Sequence, residues 1–326
     1  MCLAGCASTP RTETLLEGKT MGSAWTVKVA GALPVPADEL RAGVQAQFDA
    51  VDRALSTYRP DSALSRFNDV ETGEWVAIDP ELAQVLGYGL TLAALSDGAY
   101  DLTVGPLVNL WGFGPEGRRV DAPEAAAIEA ARARVGWRKV EVDVLQARAR
   151  KQAGVRVDLS SLGKGRGVDR VAAYLESRGV NHYLIDLSGK LRAHGRNARG
   201  DAWRVAVEQP AADDPTGAPR VVPAAVTLRD TSIATSGDYR RYFETAGQHF
   251  SHIIDPRTGR PVSHATVSAS AQAGTCMQAD ALATVLMVMP PVDALRLAEQ
   301  LRVPALLISR EGAGYRLTRS SAWRDQ

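Results

Sequence analysis

The sequence predicts an α+β fold with mixed, largely antiparallel sheets and packed helices. Strand-like stretches come in runs between helices, without the regular alternation of a doubly wound sheet. Two amphipathic helices stand early in the chain, and a nearly all-apolar helix stands late in it. With 326 residues, 45% hydrophobic and 23% charged, the chain is long enough to bury a large core, as one big domain or two lobes.

Trp25, Val27 and Val29 alternate between Gly22 and Ala30, which predicts a half-buried strand. Leu40, Val44, Phe48, Val51 and Leu55 recur at three and four, predicting a helix from about Ala37. Ser56 to Ser62 is a polar loop with Pro60-Asp61 as turn chemistry. A second helix runs roughly from Pro80 to Leu95 and ends near Asp97-Gly98. The glycines and proline between Gly98 and Gly114 sit among large apolar residues and predict packed backbone. Asp121 and Pro123 open a short alanine-rich helix that ends at Gly136. Strands are expected at Val140 to Val144, Ala147 to Lys151 and Val155 to Leu159. Val168, Val171 and Leu175 mark a further helix, closed by Gly179. His182 to Leu187, Trp203 to Glu208, Val221 to Leu228 and His249 to Ile254 read as extended, with a mobile excursion at Gln209 to Pro219. Val267 to Ala271 leads into the apolar helix that begins near Met277 and is stopped by Pro290-Pro291. A helix at Val292 to Leu301 and strands at Ala305 to Ser309 and Gly314 to Thr318 finish the domain.

A net charge of +1, from 38 basic and 37 acidic residues, leaves no nucleic-acid footprint. No apolar run is long enough to span a bilayer. Cys2 and Cys6 lie at the extreme N-terminus and Cys276 is alone, so no internal disulfide is expected. Leu3-Ala4-Gly5-Cys6 resembles a bacterial lipobox, whose cysteine is acylated after signal cleavage. The hydrophobic segment such a signal needs is missing, since only Met1 and Cys2 precede it. The expectation is a trimmed lipoprotein, with residues 1–19 as signal remnant and polar linker; a chance match of the short motif is the alternative.

The apolar helix carries the first chemical signal. Asp280 and Thr284 stand four apart, on one face and one turn from each other. An acid in the first turn of an apolar helix needs a partner. A hard cation such as Mg²⁺, shared with a substrate's phosphates, would supply one. Alternatively the carboxylate offsets the helix dipole and Thr284 bonds back to a carbonyl. Val157 to Gly167 runs a strand into a glycine-rich turn whose amides, with Lys164, can hold a phosphate; the alternative is a tight strand-to-helix connection. It is not a Walker loop, because Gly165 stands where Ser or Thr is required. Ser161 and Lys164 also match the S-x-x-K pattern of penicillin-binding proteins, but a glycine-rich turn is the wrong setting for it. His249 and His252 are close in sequence yet three apart, which in a strand puts them on opposite faces. One of them can face a cleft as a general base, or bond to backbone at a strand edge. Ala234 to Tyr239 reads as a small polar turn after an extended segment.

Taken together, these stretches resemble the ApbE family of FAD:protein FMN transferases, from about Thr20 to Thr318. The markers fall in the family's order: Met21-Gly22, Leu55-Ser56-Thr57-Tyr58, Tyr100-Asp101 with Val104 to Leu107, Asp158-Leu159 with Gly163-Lys164-Gly165, Ala234 to Tyr239, His252 to Pro256 with Thr258-Gly259, and Ala279-Asp280-Ala281 with Thr284. One departure stands out. The family often has Gly-Gly-Asp or Gly-Gly-Glu where this chain has Ser188-Gly189-Lys190.

The resemblance implies a two-lobed, T-fold-like single unit, with a transferase domain over 20–319 and a tail over 320–326. It implies FAD as substrate and a Mg²⁺ on the FAD diphosphate, held by Asp280, Thr284 and the carbonyl of Ser161. Met21, Tyr58, Ala99, Tyr100, Asp101, Asp158, Lys164 and Ile254 would surround the flavin and adenosine parts. His252 would be the base and Lys164 would add positive charge. The implied reaction attaches FMN through a phosphoester to a Thr or Ser of a target flavoprotein and releases AMP. Implied acceptors are flavin-carrying subunits of membrane redox complexes, of the Na⁺-pumping NADH:quinone reductase or Rnf type. A lipid anchor at Cys6 would place the protein in the periplasm, on the inner membrane. The alternatives are a Mg-dependent FAD pyrophosphatase giving FMN and AMP, and a non-catalytic FAD-binding lipoprotein.

Overall fold

The main sheet begins with a hairpin. In the computed structural model, which describes residues 11–119, 121–209, 220–240, 242–245, 248–312 and 314–324, β1 (Glu13–Thr20) pairs antiparallel with β2 (Ser23–Ala30). The turn between them is Met21-Gly22, both at positive φ (47° and 69°), as a two-residue hairpin loop that follows the strand twist requires. β1 therefore occupies residues 13–19 of the stretch expected as linker. Charged side chains hid this edge strand in the sequence: Leu16 and Thr20 are its buried residues, between exposed Glu13, Leu15, Glu17 and Lys19.

α1 (Ala37–Leu55) buries the stripe its spacing predicts, Leu40, Val44, Phe48, Val51 and Leu55. α2 (Ala63–Asn68) starts on Ser62, whose hydroxyl accepts from the Ser65 N–H. β3 (Val76–Ala77) is followed by α3 (Pro80–Leu95), capped by Asp79 with proline at its first position. α4 (Gly105–Leu110) and α5 (Ala125–Arg132) lead to β4 (Val140–Asp143) and β5 (Arg148–Lys151), which with β3 form a small sheet.

Val155 to Leu159, expected as a strand, is paired in no sheet. Asn68 supplies what a neighbouring strand would have supplied, since its side chain bonds both the N–H and the C=O of Val157 (2.7 and 2.8 Å). α6 (Ser160–Ser177) then begins before the glycines. Gly163, Gly165 and Gly167 are helical and not a turn, so the phosphate-cradling loop expected there does not form. Two of these glycines answer to packing. A Cβ on Gly165 would meet Cys276 O at 2.5 Å, and one on Gly167 would meet Phe48 of α1 at 2.9 Å.

β6 (Tyr183–Leu187), β7 (Lys190–His194), β8 (Trp203–Gln209), β9 (Arg220–Leu228) and β10 (Thr231–Gly237) follow. Beyond Gln209, the expected excursion lies outside the described residues. β10 runs on as strand through Ser236 and Gly237 into a single 3₁₀ turn at Asp238–Arg240, so Ala234 to Tyr239 is mostly strand and not a turn. β11 (Tyr242–Thr245), β12 (Gln248–Ser251), β13 (Ile254–Asp255) and β14 (Arg260–Pro261) make two short hairpins. β15 (Thr266–Ala273), α7 (Cys276–Val288), α8 (Pro291–Gln300), β16 (Ala305–Glu311) and β17 (Gly314–Arg319) complete the order.

Among the described residues, the main sheet runs β1-β2-β6-β7-β10-β15-β16-β17, and its recorded pairings are antiparallel throughout. The fold is α+β, as the sequence predicts. α1 and α6 cover the β1–β2–β6 end, burying Trp25, Val27, Phe48, Val171 and Ile185. α7 lies over β10 and β15 in a second core with Ala234, Ala269, Ala271, Ala281 and Leu286. The expected tail at 320–326 is packed as far as it is described. Ser320 Oγ accepts from Ala305 N–H (2.9 Å) and donates to Val303 O (2.7 Å), and Trp323 is buried in a third core.

Candidate functional site

The site is built where α6 passes α7. Asp169 on α6 accepts the first N–H groups of α7, from Cys276 (2.8 Å) and Met277 (2.9 Å), and this fixes the start of α7 against α6. Four residues earlier on α6, Gly165 comes close enough for its N–H to donate to Asp280 Oδ2 at 3.1 Å. Asp280 is therefore held by a neighbouring helix, in the second turn of α7 and not in its first. Ser161 stands one turn before Gly165 on α6, and in a helix the N–H of residue 165 points back at the C=O of residue 161. The Asp280 carboxylate and the Ser161 carbonyl thus converge on the same N–H.

Thr284 shares the Asp280 face, as its spacing predicts. Its hydroxyl donates to Asp280 O (3.1 Å) and lies 3.4 Å from Ser236 Oγ on β10. A carboxylate, a hydroxyl and a carbonyl are hard oxygen donors, too few for an all-protein cage but matched to a Mg²⁺ that keeps waters or substrate phosphates. Among the described residues no group of three or more His, Cys, Asp or Glu gathers to hold a metal. The donor set therefore fits the expected cation.

Lys190 is the neighbour of Asp280 that spacing alone could not place. Its ammonium, at the start of β7, lies 3.2 Å from Asp280 Oδ1 and donates to Thr235 O at 2.6 Å. Both partners are buried, Asp280 to 2% and Lys190 to 9% exposure. Burial pushes the Asp280 carboxyl above its ordinary range, against the pull of Lys190, the Gly165 N–H and, more weakly, the charge of Lys164. The sequence did carry a signal: Lys190 is the point at which the chain leaves the family pattern.

The α6 N-terminus supplies the next wall. Asp158 caps it through Ser160 N–H (2.8 Å), and the Asp158 N–H is tied to Leu102 O (2.7 Å). That tie sets Tyr100 beside α6, where its hydroxyl meets Ser161 Oγ at 3.0 Å. Ala99 and Tyr100 are buried, and burial raises the Tyr100 phenol well above its usual value, keeping it neutral. The Asp101 carboxylate faces inward, accepting from Thr103 N–H (2.8 Å), Thr103 Oγ1 (2.6 Å) and Trp137 N–H (2.8 Å). Burial raises its pKa and these donors oppose the rise. Its side chain thus pins the loop that presents Tyr100. A cleft of about 130 Å³ opens here, lined by Thr57, Asn68, Asn109, Arg156 and Asp158 among others.

An aromatic wall stands beyond it. Tyr58 is 56% exposed, with its hydroxyl donating to Phe113 O at 3.3 Å. The Phe113 ring meets His252 edge-on at 6.3 Å. Ile254, two residues on, packs with Leu107 and Trp111 in the core beneath. Ile253, between His252 and Ile254, belongs to the core that includes Ala279, Ala281 and Ala283 of α7. His252 sits in the bend after β12, outside any strand, while His249 lies within β12 and stacks on Tyr242 at 4.5 Å. Met21, in the β1–β2 turn, packs against both main cores and next to Gly167 of α6.

The structure thus brings Ser161, Asp280 and Thr284 together, with Tyr100 on Ser161 and Lys164 near Asp280. It sets Tyr58 and His252 around Phe113. Cys6 lies outside the described residues. A larger cavity of about 340 Å³, lined by Tyr88, Leu92, Gln278, Leu282 and Leu301 among others, opens on the far side of α7. Gln278 and Leu282 point about 200° around the helix from Asp280 and Thr284, so this cavity is separate from the site.

The ApbE family model matches residues 21–307. A FAD:protein FMN transferase of Klebsiella pneumoniae (strain 342) is 41% identical over 332 residues, covering 99% of this chain and 93% of that protein. The crystallised flavin transferase ApbE from Vibrio cholerae superposes with a TM-score of 0.88 at 37% identity, covering 96% of this chain and 99% of its own. The apo flavinyl transferase ApbE of Pseudomonas stutzeri gives a TM-score of 0.86 at 38% identity, covering 97% and 96%. Family match, near-full-length identity and superposition agree with the order of the motifs, and the chain belongs to the ApbE family.

Proposed function

We propose that the protein is a Mg²⁺-dependent FAD:protein FMN transferase, moving FMN from FAD onto a threonine or serine of a flavoprotein. The reading is supported by Asp280 and Thr284 on one face of α7, with Asp280 bonded to Gly165 one turn after Ser161 on α6, and by the grouping of Tyr58 and His252 around Phe113. In the reaction, the acceptor hydroxyl oxygen bonds to the phosphorus on the FMN side of the anhydride. The anhydride P–O bond breaks, AMP leaves with its electron pair, and the hydroxyl proton passes to His252. Such a transfer rests on positioning and charge neutralisation more than on covalent help.

Each residue has a job in that scheme. Asp280, Thr284 and the Ser161 carbonyl would hold Mg²⁺, which when bound neutralises charge on the diphosphate. Lys164 adds positive charge at the same end of α6. Tyr58 offers a ring face for stacking. Tyr100 orients Ser161, and Asp101 and Asp158 hold the loops that carry Tyr100 and the helix start. Ile254 and Ala99 give the site apolar backing.

Acceptors of the proposed reaction are flavin-carrying subunits of membrane redox complexes, of the Na⁺-pumping quinone reductase or Rnf type. Among the described residues no helix is long and apolar enough to cross a membrane. Acylation at Cys6 is the proposed anchor, holding the enzyme on the periplasmic face of the inner membrane; several acyl chains are needed for firm attachment. Incubation with FAD, Mg²⁺ and a candidate acceptor tests the function. Flavin fluorescence retained on the denatured acceptor supports transfer; free FMN without labelled acceptor means pyrophosphatase, and unchanged FAD means binding alone.

A further inference from the structure

We infer that Lys190 is a built-in counterion that makes capture of the divalent cation depend on the FAD diphosphate. The inference rests on the metal reading given above and goes beyond it, because it gives Lys190, whose ammonium lies against the Asp280 carboxylate, a part in cation capture.

Both oxygens of the Asp280 carboxylate are already engaged by the protein. Asp280 Oδ1 faces the Lys190 ammonium at 3.2 Å, Asp280 Oδ2 accepts from Gly165 N–H at 3.1 Å, and the Thr284 hydroxyl is engaged with Asp280 O at 3.1 Å. Lys190 is itself anchored, since Thr235 O accepts from it at 2.6 Å. An anchored, buried ammonium cannot swing out to water. A divalent cation arriving alone would share one carboxylate with a fixed positive charge, at a distance where like charges repel strongly in a poorly hydrated site. An arriving diphosphate changes the balance. Its negative oxygens can satisfy the ammonium and the cation together, so the cation enters with the nucleotide. An acid at position 190 would reverse this, drawing cations in before substrate.

The test measures metal binding without turnover. Mn²⁺ is titrated by electron paramagnetic resonance into the wild type, Lys190→Gln, Lys190→Arg and the double variant Lys190→Gln/Asp280→Asn, with and without FAD and with no acceptor. The wild type and Lys190→Arg should bind Mn²⁺ weakly alone and about tenfold or more tightly with FAD. Lys190→Gln should bind Mn²⁺ alone about tenfold or more tightly than wild type, and the double variant should lose that gain. Melting curves in Mg²⁺ without nucleotide should show a larger upward shift for Lys190→Gln than for wild type. If unloaded Lys190→Gln does not fold, its refolding in graded Mg²⁺ reads the same linkage; absence of recovery overturns the inference. Equal Mn²⁺ affinity in wild type and Lys190→Gln, with the double variant still failing to bind in the presence of FAD, overturns the role of Lys190 and leaves the metal site standing. No Mn²⁺ binding by any form, with or without FAD, overturns both.

Discussion

A Cβ on Gly165 would stand 2.5 Å from the carbonyl oxygen of Cys276, and 2.6 Å from Met277 Cα. The close approach of α6 and α7 exists because position 165 has no side chain, and the Gly165–Asp280 hydrogen bond depends on that approach. Gly165→Ala should therefore push the helices apart and cost about 1–3 kcal/mol by overpacking, and should weaken metal and FAD binding in the same variant. Gly163→Ala is the control. Nothing lies within 4 Å of its added Cβ, so helix propensity should make it neutral or stabilising by up to about 1 kcal/mol. Urea unfolding of both variants checks the contrast.

Tyr58 is exposed on its ring face while its hydroxyl is tethered to Phe113 O. Stacking on part of the FAD should contribute roughly 0.5–1.5 kcal/mol beyond area burial. Tyr58→Ala should weaken FAD binding several-fold with little change in melting temperature, and Tyr58→Phe should keep most of the affinity. Fluorescence titration with FAD decides between a stacking platform and a loop anchor, for which both variants would bind normally.

Much of this was legible in the sequence, where periodicity or a fixed spacing carried the information. The stripe of α1, the span of α3 from Pro80 to Leu95, and Asp280 with Thr284 on one face of α7 all follow from short-range pattern. Misreadings arose where long-range contacts decided the outcome. Gly163 to Gly167 has turn composition, yet it is helical because Cys276 and Phe48 occupy the space that side chains would need. Val155 to Leu159 has strand composition, yet Asn68, 89 residues away from Val157, takes its hydrogen bonds. β1 looked like a linker because an edge strand can be charged on its open side. Lys190 was visible as a departure, but its partner, 90 residues on at Asp280, was not.

Asp238 offers a pH-dependent test away from the metal donors. Its carboxyl is buried at 6% exposure; Oδ1 has no hydrogen-bond partner among the described residues, and Arg310 is 3.7 Å from Oδ2. Burial raises its pKa above the ordinary aspartate range, against the charges of Arg310 and His249. The folded state thus holds this proton more tightly than the unfolded chain does. Ionisation costs stability progressively as pH rises from the unfolded value through the raised one. Asp238→Asn removes that loss. Its stability relative to wild type should improve as pH rises through and above the ordinary aspartate range, as read from denaturant midpoints at a series of pH values. A pH-independent difference would mean that Arg310 fully offsets the burial of Asp238.

His252 lies against Phe113, whereas Asp280 is held by Gly165 and Lys190, so their variants should fail in different ways. Asp280→Asn keeps an acceptor for the Gly165 N–H but removes the charge that Lys190 and a metal both need. It should lower thermal stability, because a buried ammonium loses its counter-charge, and it should abolish tight Mn²⁺ binding in the presence of FAD. His252→Ala touches neither group. It should melt close to wild type and bind FAD and Mn²⁺ normally, while the single-turnover rate of FMN transfer falls by about 10²–10⁴ for loss of a general base. Raising the pH should partly restore that rate, because more of the acceptor hydroxyl is ionised without help. Wild-type transfer by His252→Ala would move the base elsewhere or leave the hydroxyl to be activated without one. Weakened FAD binding with an unchanged bound-state rate would instead make His252 part of the flavin wall, alongside Phe113 and Tyr58.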